Sequence, residues 1–391
     1  MAVPLRHMEL VEPVVLPVEV RAVRSAVDRD RFIRFQYELY RHDPNFVPPL
    51  QMERRDFLDA AKNPFFLHAD VDLFLAIRHG EVVGRVAAVE DRNFNAFWKT
   101  ATVAFGLFEC IDDPGVARAL LGAVEDWGQA RGLSRLLGPL SFSTNYECGV
   151  LIDGFERPAV FQMPYNPRYY PELLERAGLS KAKDLFAWDL LLSRDPPEKV
   201  VRIAEKIRHR EGITVRPANL SDLKAEIGRL KKVYNAAWER NWGFVPMTDA
   251  EFDHMARDMK AVVVPELLLI AEVKGEPVAF SLTLPDMNHA FRQVPEGRLT
   301  QFGLPIGLGK LLYHQRQIKW ARLMALGIVE GYRRRGIDAI LYLDTLRAAR
   351  KLGYEGGEIG WTLEDNALVN RAIQSMGGTH GKTYRVYEKA L

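Results

Sequence analysis

The sequence has few cysteines, almost no net charge and no long apolar run. Its 391 residues include two cysteines, which allow at most one disulfide and favour a reducing compartment over that of a disulfide-stabilised secreted domain. The formal net charge of +2 argues against nucleic acid as a partner, because nucleic-acid-binding domains carry a basic excess. No apolar stretch reaches the roughly 20 residues of a membrane-spanning helix, and residues 1–20 lack the continuous apolar segment of a signal peptide. We expect a cytoplasmic protein, for which contact with a membrane surface stays open.

Two kinds of catalytic signature are also missing. There is no Gly-x-Ser-x-Gly segment, so the sequence gives no support for a route through an acyl-serine. The histidines and cysteines do not occur at the spacing of metal ligands, and no metal cofactor is expected.

The order of the apolar segments indicates an α/β fold in two halves. The length suits two domains, and strand-like and helix-like segments alternate in both halves, which is typical of α/β layers. Strands are predicted at 73–78, 82–90, 102–110, 133–137 and 185–192, and again at 267–273, 277–284, 324–329, 357–361 and 383–388. Helices are predicted at 31–40, 115–131, 169–177, 221–235 (with Ser221 as N-cap), 337–352 and 366–377.

A basic turn in the second half is the most informative chemical feature. Arg333, Arg334, Arg335 and Gly336 lie between a predicted strand and the start of a predicted helix. The free amides and the dipole of a helix N-terminus attract anions, and a glycine lets a ligand approach the backbone. An arginine-rich turn is also common as a solvated loop. The alternative that fits the position is a pyrophosphate site.

This segment resembles the phosphate loop of the GNAT acyltransferase superfamily, which has the pattern Gln/Arg-x-x-Gly-x-Gly/Ala. Arg333 and Gly336 match, whereas Asp338 stands in place of the last small residue. Asn366 matches the asparagine before the family's last large helix, but Ile373 stands where the family often has a tyrosine acid. The resemblance implies the GNAT fold, acyl-CoA as the acyl donor, and an acid supplied by another residue.

The first half repeats the same order of elements. Asn166 precedes Gly178 by twelve positions, as Asn366 precedes Gly378, and each pair is predicted to open and close a helix. The resemblance therefore implies two tandem GNAT-like domains, each with a mixed central sheet flanked by helices. We place the first at residues 1–195, a linker at 196–211 and the second at 212–391. The chain as a whole resembles tandem GNAT-like bacterial proteins, some of which resemble bacterial ceramide synthases.

The two halves differ at the phosphate loop, and the donor is expected in the second. In the first half Asp112 and Asp113 occupy the turn, where they would repel a pyrophosphate and are expected to cap the following helix. The residues that the resemblance assigns to acyl-CoA, by loop, helix start and pantetheine-pairing strand, are Leu326, Ile328, Arg333, Arg334, Arg335, Gly336 and Asn366.

The first half is expected to hold the acceptor instead. Asn145 and Glu147 lie in a polar, glycine-bounded segment at 138–149, and Tyr165 and Tyr169 form an aromatic cluster near it. These four are the candidate substrate-binding residues. A Ser/Asn turn and an aromatic helix start that packs on the sheet explain the same residues without a ligand.

Direct transfer from a thioester to an amine needs alignment, a base, oxyanion donors and an acid for the thiolate. Asp286 and His289 follow a predicted strand of the second half and are the candidate bases, although the same residues also fit a plain turn. Tyr387, or Tyr384 on the same strand, is the candidate acid.

Residues 289–320 have no counterpart in the first half. They are rich in Gly, Leu and Pro, and basic residues follow their apolar core. At ~25 cal/mol per Å² of apolar surface, a few such side chains suffice for weak lipid or acyl-chain contact. An apolar lid, a lipid-touching loop and a loop packed on its own domain all fit.

The leading hypothesis is an acyl-CoA-dependent N-acyltransferase with a small-molecule or lipid amine acceptor, such as a long-chain or sphingoid-type amine. The alternative is a catalytically degenerate GNAT fold that binds an acyl carrier or metabolite, which Asp338 and Ile373 favour. A transferase that uses aminoacyl-tRNA would need a basic groove, and the net charge gives it little support.

Overall fold

The computed structural model describes residues 18–391 except residue 240. From residue 18 onward, the first half contains seven strands, five α-helices and a short 3₁₀ turn at Pro64–Leu67. In chain order they are β1 (Glu19–Ala22), α1 (Ala26–Leu39), α2 (Gln51–Phe57), β2 (Ala69–Arg78), β3 (Glu81–Asp91), α3 (Arg92–Trp98), β4 (Thr102–Cys110), α4 (Pro114–Gln129), β5 (Arg135–Gly138), β6 (Val150–Asp153), α5 (Tyr170–Arg176) and β7 (Ser180–Leu191).

The second half begins with a helix that residues 192–197 separate from β7. Its elements are α6 (Glu198–Glu211), β8 (Ile213–Pro217), α7 (Leu223–Trp238), α8 (Asp249–Met259), β9 (Leu268–Val273), β10 (Glu276–Pro285), α9 (Asn288–Phe291), α10 (Ile306–Gln315), β11 (Trp320–Ile328), α11 (Ile337–Lys351), β12 (Gly356–Leu363), α12 (Ala367–Ser375) and β13 (Thr379–Ala390). Residues 196–211, which the sequence suggested as a linker, are therefore mostly the helix α6, which packs against α11.

Twelve of these strands form one continuous mixed sheet, in the order β1-β2-β3-β4-β5-β13-β7-β12-β11-β10-β9-β8, and β6 pairs with β13. The pairs β4–β5 and β11–β12 are parallel, and the other pairs are antiparallel. The α/β class and the mixed sheet flanked by helices are as the sequence predicts.

The last strand of each half is exchanged with the other half. β13, the final strand of the chain, pairs with β5 of the first half, while β7 of the first half pairs with β12 of the second. β13 and β7 also pair with each other along most of their length and so form the centre of the sheet. The domain bounds at 195 and 212 stay a prediction, since each half is completed by a strand of the other.

Apolar cores lie on both faces of this sheet. In the first half, Phe32 and Ile33 of α1 pack in one core, whereas Leu120 and Val124 of α4 pack in another. In the second half, α11 packs its buried side chains on one face, and α7 packs on a separate cluster around Phe280. The helix faces and the strand alternation follow the usual periods of 3.6 and 2.

Two predicted helix caps are wrong in detail. Ser221 lies in a 3₁₀ turn at Leu220–Asp222, where Asn219 accepts the hydrogen bond of its backbone N–H, and α7 begins two residues later. Asn166 does not cap α5, because its side-chain oxygen accepts from the backbone N–H of Leu151 in β6. Asn366 does cap its helix, by accepting from the backbone N–H of Val369.

Among the helices of the described residues, none combines the length and the apolar character needed to cross a bilayer.

Candidate functional site

The second half opens its sheet next to the basic turn. β11 and β12 pair only from Trp320 with Gly356 to Leu323 with Ile359, although β11 continues for five further residues. The strands part beyond this point, so the remaining edge of β11 faces a gap. Leu326 and Ile328, the predicted pantetheine-pairing residues, lie on this free stretch. The gap can admit an extended chain that pairs with a strand edge.

The basic turn lies at the outer end of this gap. Arg334 is exposed to solvent, and its backbone is in the left-handed region, with a φ of 59°. Gly336, immediately before α11, has a φ of 79°. Arg335 lies over the ring of Tyr332, with its guanidinium carbon 5.1 Å from the ring centroid. Its Nη1 lies 3.6 Å from a carboxylate oxygen of Glu211. Two exposed guanidinium groups thus stand at the helix start, where an anion is favoured.

Arg333 has a different position from its two neighbours. Its Nε donates to the carbonyl of Ile328 at 3.2 Å, and its Nη2 donates to the carbonyl of Ala237 at 2.7 Å. These bonds tie the turn to the end of α7. Arg333 therefore fixes the shape of the turn, and the charge left for a ligand comes mainly from Arg334 and Arg335.

The first half closes the equivalent gap with its own backbone. β4 and β5 also pair over only three positions, but the N–H of Leu140 donates to the carbonyl of Phe105 at 2.8 Å. A side chain on Gly106 would lie 1.8 Å from the carbonyl oxygen of Leu140, which shows how closely this segment fills the space. The hydroxyl of Tyr169 donates to the carbonyl of Cys110 at 2.8 Å and occupies the far end of the strand.

The acidic turn of the first half caps its own helix, as predicted. The side chain of Asp113 accepts from the backbone N–H groups of Gly115 and Val116 and also binds Arg78 at 2.7 Å. The amides that would bind a phosphate are therefore occupied. The two halves share a fold, but in the described residues the second leaves the edge of β11 unpaired beside a turn with two exposed arginines.

A buried polar cluster lies where the two halves meet. We define it as Asp286, Arg322, Glu358 and Tyr384. Arg322 of β11 and Glu358 of β12 are register partners, and both are buried. Arg322 donates to the carbonyl of Phe161 at 2.7 Å and to that of Gly360 at 3.3 Å. The polar cluster adjoins the point where β11 and β12 separate.

Burial shifts the pKa values of its acids upward. Burial raises the pKa of Asp286 to about 6, against the opposing effect of hydrogen bonds from the backbone N–H groups of Phe161 and Asn288. Burial also raises the pKa of Glu358 to about 7, against the attraction of Arg322 and Lys382. Within the described residues, Glu358 Oε1 and the hydroxyl of Tyr384 have no hydrogen-bond partner. Acids with pKa values near neutrality and unpartnered polar atoms suit proton transfer.

The predicted acceptor residues Asn145 and Glu147 face the same junction. Asn145 accepts from the hydroxyl of Tyr234 at 2.7 Å and donates to the carbonyl of Val245 at 3.3 Å, so it joins the two halves. Glu147 lies 3.8 Å from a nitrogen of Arg54, and its side chain keeps a third of its surface exposed. Burial raises the pKa of Glu147, and the charge of Arg54 opposes this.

The other candidate residues lie elsewhere. His289 is exposed on α9, and Tyr387 is buried beneath α4 and α5, where its hydroxyl donates to Glu175 at 3.1 Å. The hydroxyl of Tyr165 donates to Asp43 at 2.8 Å, in a different core from Tyr169. Their assigned roles stay predictions. Of the two candidate tyrosine acids, the structure brings Tyr384 to the polar cluster.

Sequence reasoning missed Arg322, Glu358 and Arg54. Arg322 lies before the apolar run that predicted its strand, and Glu358 lies in a strand predicted on its apolar residues. A charged residue at a buried strand position was the available signal for both. Arg54 lies in α2, which has no sequence pattern that distinguishes it from a surface helix.

Comparison with known proteins gives two curated relatives over almost the whole chain, while no protein-family model matches. The chain is 36% identical over 381 residues to the bacterial ceramide synthase of Caulobacter vibrioides, covering 96% of this chain and 98% of that protein. It is 34% identical over 385 residues to protein YghO of Escherichia coli, covering 95% of each.

Solved structures show the same fold at low sequence identity. A tandem GNAT protein from the clavulanic acid biosynthesis pathway has a TM-score of 0.55 at 11% identity and covers 96% of this chain and 98% of its own. A GCN5-related N-acetyltransferase from Sphaerobacter thermophilus has a TM-score of 0.50 at 15% identity, with 95% of each chain covered. These similarities confirm the predicted tandem GNAT architecture.

Proposed function

The chain belongs to the family of tandem GNAT N-acyltransferases that includes the ceramide synthase of Caulobacter vibrioides, and we propose that it transfers an acyl group from coenzyme A to a long-chain amine. The observation that carries the donor assignment is the open β11–β12 gap that ends at the cationic start of α11. The thioester of acyl-CoA would lie in the gap, and the pyrophosphate of its coenzyme A would bind at Arg334 and Arg335.

The family relationship supports the acceptor class. A ceramide is the amide of a fatty acid and a long-chain amino alcohol, and one relative is named a ceramide synthase. Asn145 and Glu147, near the contact between the halves, would supply the polar groups that bind such a head group. A sphingoid-type amine is the acceptor that we infer.

The register of β11 provides an oxyanion donor in this proposal. β10 and β11 pair Leu282 with Ala325 and Thr283 with Leu323, so the bulged Met324 has no partner position on β10. A bulge frees backbone groups from the ladder. The N–H of Met324 would stabilise the oxyanion as the amine nitrogen attacks the thioester carbonyl carbon.

Proton transfers complete the reaction. Asp286, as a carboxylate, takes the proton that the amine loses when the C–N bond forms. The C–S bond then breaks, and the departing thiolate takes a proton from the hydroxyl of Tyr384. Burial raises the pKa of Tyr384 well above its usual value, so the hydroxyl is protonated at neutral pH, and Arg322 opposes the rise by stabilising the tyrosinate that forms. The reaction balances when Asp286 releases its proton and Tyr384 regains one, and the products are an amide and free coenzyme A.

Release of free thiol tests the reaction. Purified protein is incubated with a long-chain acyl-CoA and a panel of amines that includes a sphingoid base, a short alkylamine and an amino sugar. We expect thiol release and an amide product with the sphingoid base. Release with the amino sugar alone would contradict the lipid acceptor.

A second function is favoured by Asp338, which lies in the first turn of α11 close to the expected phosphates. In that case the fold binds an acyl carrier or metabolite and transfers nothing. Tight binding of acyl-CoA without thiol release from any amine would support this alternative.

A further inference from the structure

The segment between β10 and β11 carries an exposed apolar surface. We define the apolar surface as six side chains on the hairpin before α10 and on α10 itself: Phe302, Leu304, Ile306, Leu308, Leu312 and Tyr313. All six are exposed, and Phe302 is 98% and Tyr313 62% accessible. Monomeric soluble proteins rarely expose a contiguous apolar patch of this kind without a partner.

Phe302 is held outward at the tip of a tight turn. Gln301 and Leu304 form an isolated bridge, and the two residues between them, Phe302 and Gly303, have φ values of 51° and 75°. Glycine adopts this region readily, but an aromatic side chain does so at a cost. The backbone thus presents a large apolar ring to the surroundings, although no neighbour among the described residues covers it.

The apolar surface is a fixed part of the fold. A side chain on Gly307 of α10 would lie 2.0 Å from the carbonyl oxygen of Arg298, so the helix is packed tightly on the preceding segment. A side chain on Gly297 would lie 1.9 Å from the carbonyl oxygen of Pro49, and Gln51 donates to the carbonyl of Glu296 at 3.0 Å. These contacts anchor the segment on α2 of the first half.

The surroundings of the apolar surface are cationic. Residues 289–320 contain five lysines and arginines and one acidic residue. Beside them lies a cavity of about 290 Å³ whose lining includes Arg34, Arg55 and Arg298. Asp30 is shared by Arg34 and Arg55, and Glu296 pairs with Arg298, which leaves the lining with an excess of positive charge.

We propose that this face docks on the surface of a bilayer that contains anionic phospholipid. Phe302 and the exposed face of α10 enter the boundary between head groups and acyl chains, and the arginine cavity holds a lipid phosphate. An apolar face surrounded by lysines and arginines is typical of interfacial membrane segments. A protein partner of the same size would call for a rim of mixed charge, whereas residues 289–320 carry five basic side chains and one acidic one.

The docking face is linked to the polar cluster. The segment leaves β10 at Asp286 and returns at Trp320, and the backbone N–H of Asp286 donates to the carbonyl of Trp320 at 2.9 Å. If the proposed function holds, a lipid amine would reach the site from the bilayer. The docking itself is independent of turnover, so it is tested without substrate.

Vesicle sedimentation of the full chain tests the docking. We expect the protein to sediment with vesicles of phosphatidylcholine and phosphatidylglycerol at low salt, and to stay in solution with phosphatidylcholine alone. Phe302→Ser with Leu312→Ser should reduce the bound fraction at least tenfold, and Arg34→Gln with Arg298→Gln should reduce it severalfold. The matched controls are Leu67→Ser with Leu368→Ser, which removes exposed apolar side chains elsewhere, and Arg202→Gln with Lys260→Gln, which removes exposed charge.

A second readout keeps the test independent of the stability of the variants. Phe302→Trp should show fluorescence quenching by brominated acyl chains beyond that of the wild type, because the ring lies among the chains. Absence of vesicle binding by the wild type, or equal binding by the Phe302/Leu312 variant, would overturn the proposal. Release of the protein by inorganic phosphate but not by chloride of equal ionic strength would show a site for free phosphate instead. A stable dimer that disappears in the same variant would show self-association.

Discussion

At the scale of single residues, the proposed chemistry depends on a carboxyl group whose pKa lies close to working pH. Burial raises the pKa of Asp286 from 3.8 to about 6. If Asp286 is the base, kcat/KM should rise with pH through about 6 and then level. Asp286→Asn should lower kcat by roughly 100-fold or more, because a positioned base contributes about that much. The pH profile of kcat/KM, measured for both proteins, checks this.

The same variant should not unfold the protein. Asn can still accept the hydrogen bonds from the N–H groups of Phe161 and Asn288 that Asp286 accepts. Because the folded pKa of Asp286 is raised, wild-type stability falls as pH rises from 3.8 through about 6, and Asp286→Asn removes that loss. An active Asp286→Asn enzyme with an unchanged pH profile would eliminate Asp286 as the base.

His68 provides a second pH-dependent contact, between the halves. Its Nδ1 lies 3.0 Å from Asp91 of the first half, and its Nε2 lies 3.0 Å from Glu251 of the second. Burial alone would lower the pKa of His68, but the hydrogen bond with Asp91, the close contact with Glu251 and the charges of both raise it to about 9. The folded protein therefore keeps a charged imidazole at neutral pH.

His68→Gln should destabilise the protein in a pH-dependent way. With a folded pKa above the ordinary value of 6.5, the stabilisation is complete below 6.5 and is lost as pH rises through about 9. We expect the variant to lose on the order of 3 kcal/mol near the acid end of this window and much less above it. Urea unfolding across the window checks this, with His254→Gln on α8 as the control. A constant difference would show that the contact is not linked to protonation.

Single residues were also where sequence reasoning was least complete. Asn145, Glu147 and Asp286 could be selected because they follow strands in polar segments. Arg322 and Glu358 could be noticed only as charged residues in predicted strands, because their pairing depends on strand register, which is not visible in a single sequence. Tyr384 and Tyr387 looked equivalent for the same reason.

At the scale of elements, the difference between the halves lies in one gap. Among the described residues, periodicity and turn residues predicted ten of the thirteen strands and six of the twelve α-helices, and β4 at 102–110 to the residue. β4 separates from β5 as β11 separates from β12. The gap beside β4 is nevertheless filled by residues 140–141, which follow β5. No propensity rule describes that packing.

The closed gap predicts a strong effect at Gly106. Gly106→Ala would place a methyl group 1.8 Å from the carbonyl oxygen of Leu140, so the segment must shift. We expect a loss of about 3 kcal/mol or more in the free energy of unfolding. Gly122→Ala on α4 is the matched control, because no atom of the described residues lies within 4 Å of the added carbon and alanine favours a helix by about 1 kcal/mol. Equal midpoints in urea for the two variants would disprove the close packing.

At the scale of the whole molecule, the exchanged strands make the halves interdependent. The sequence predicted two repeated units. Because β7 and β13 have similar apolar patterns, neither sequence indicates which strand it pairs with. Because β13 completes the first half and β7 the second, residues 1–195 and 212–391 should not fold when produced separately. Circular dichroism and urea unfolding of each piece check this. Cooperative unfolding of either piece alone would show that the exchange is dispensable.

The central claim is that one chain has one acyl-CoA site, formed by the second half, and calorimetric titration with coenzyme A tests it most directly. The account predicts that one coenzyme A binds per chain and that Arg334→Glu with Arg335→Glu weakens its affinity at least tenfold. Affinity should be unchanged in Arg118→Glu, because Arg118 is an exposed residue of α4, the corresponding helix of the first half. Two coenzyme A molecules per chain, or equal affinity for the wild type and the Arg334/Arg335 variant, would contradict it.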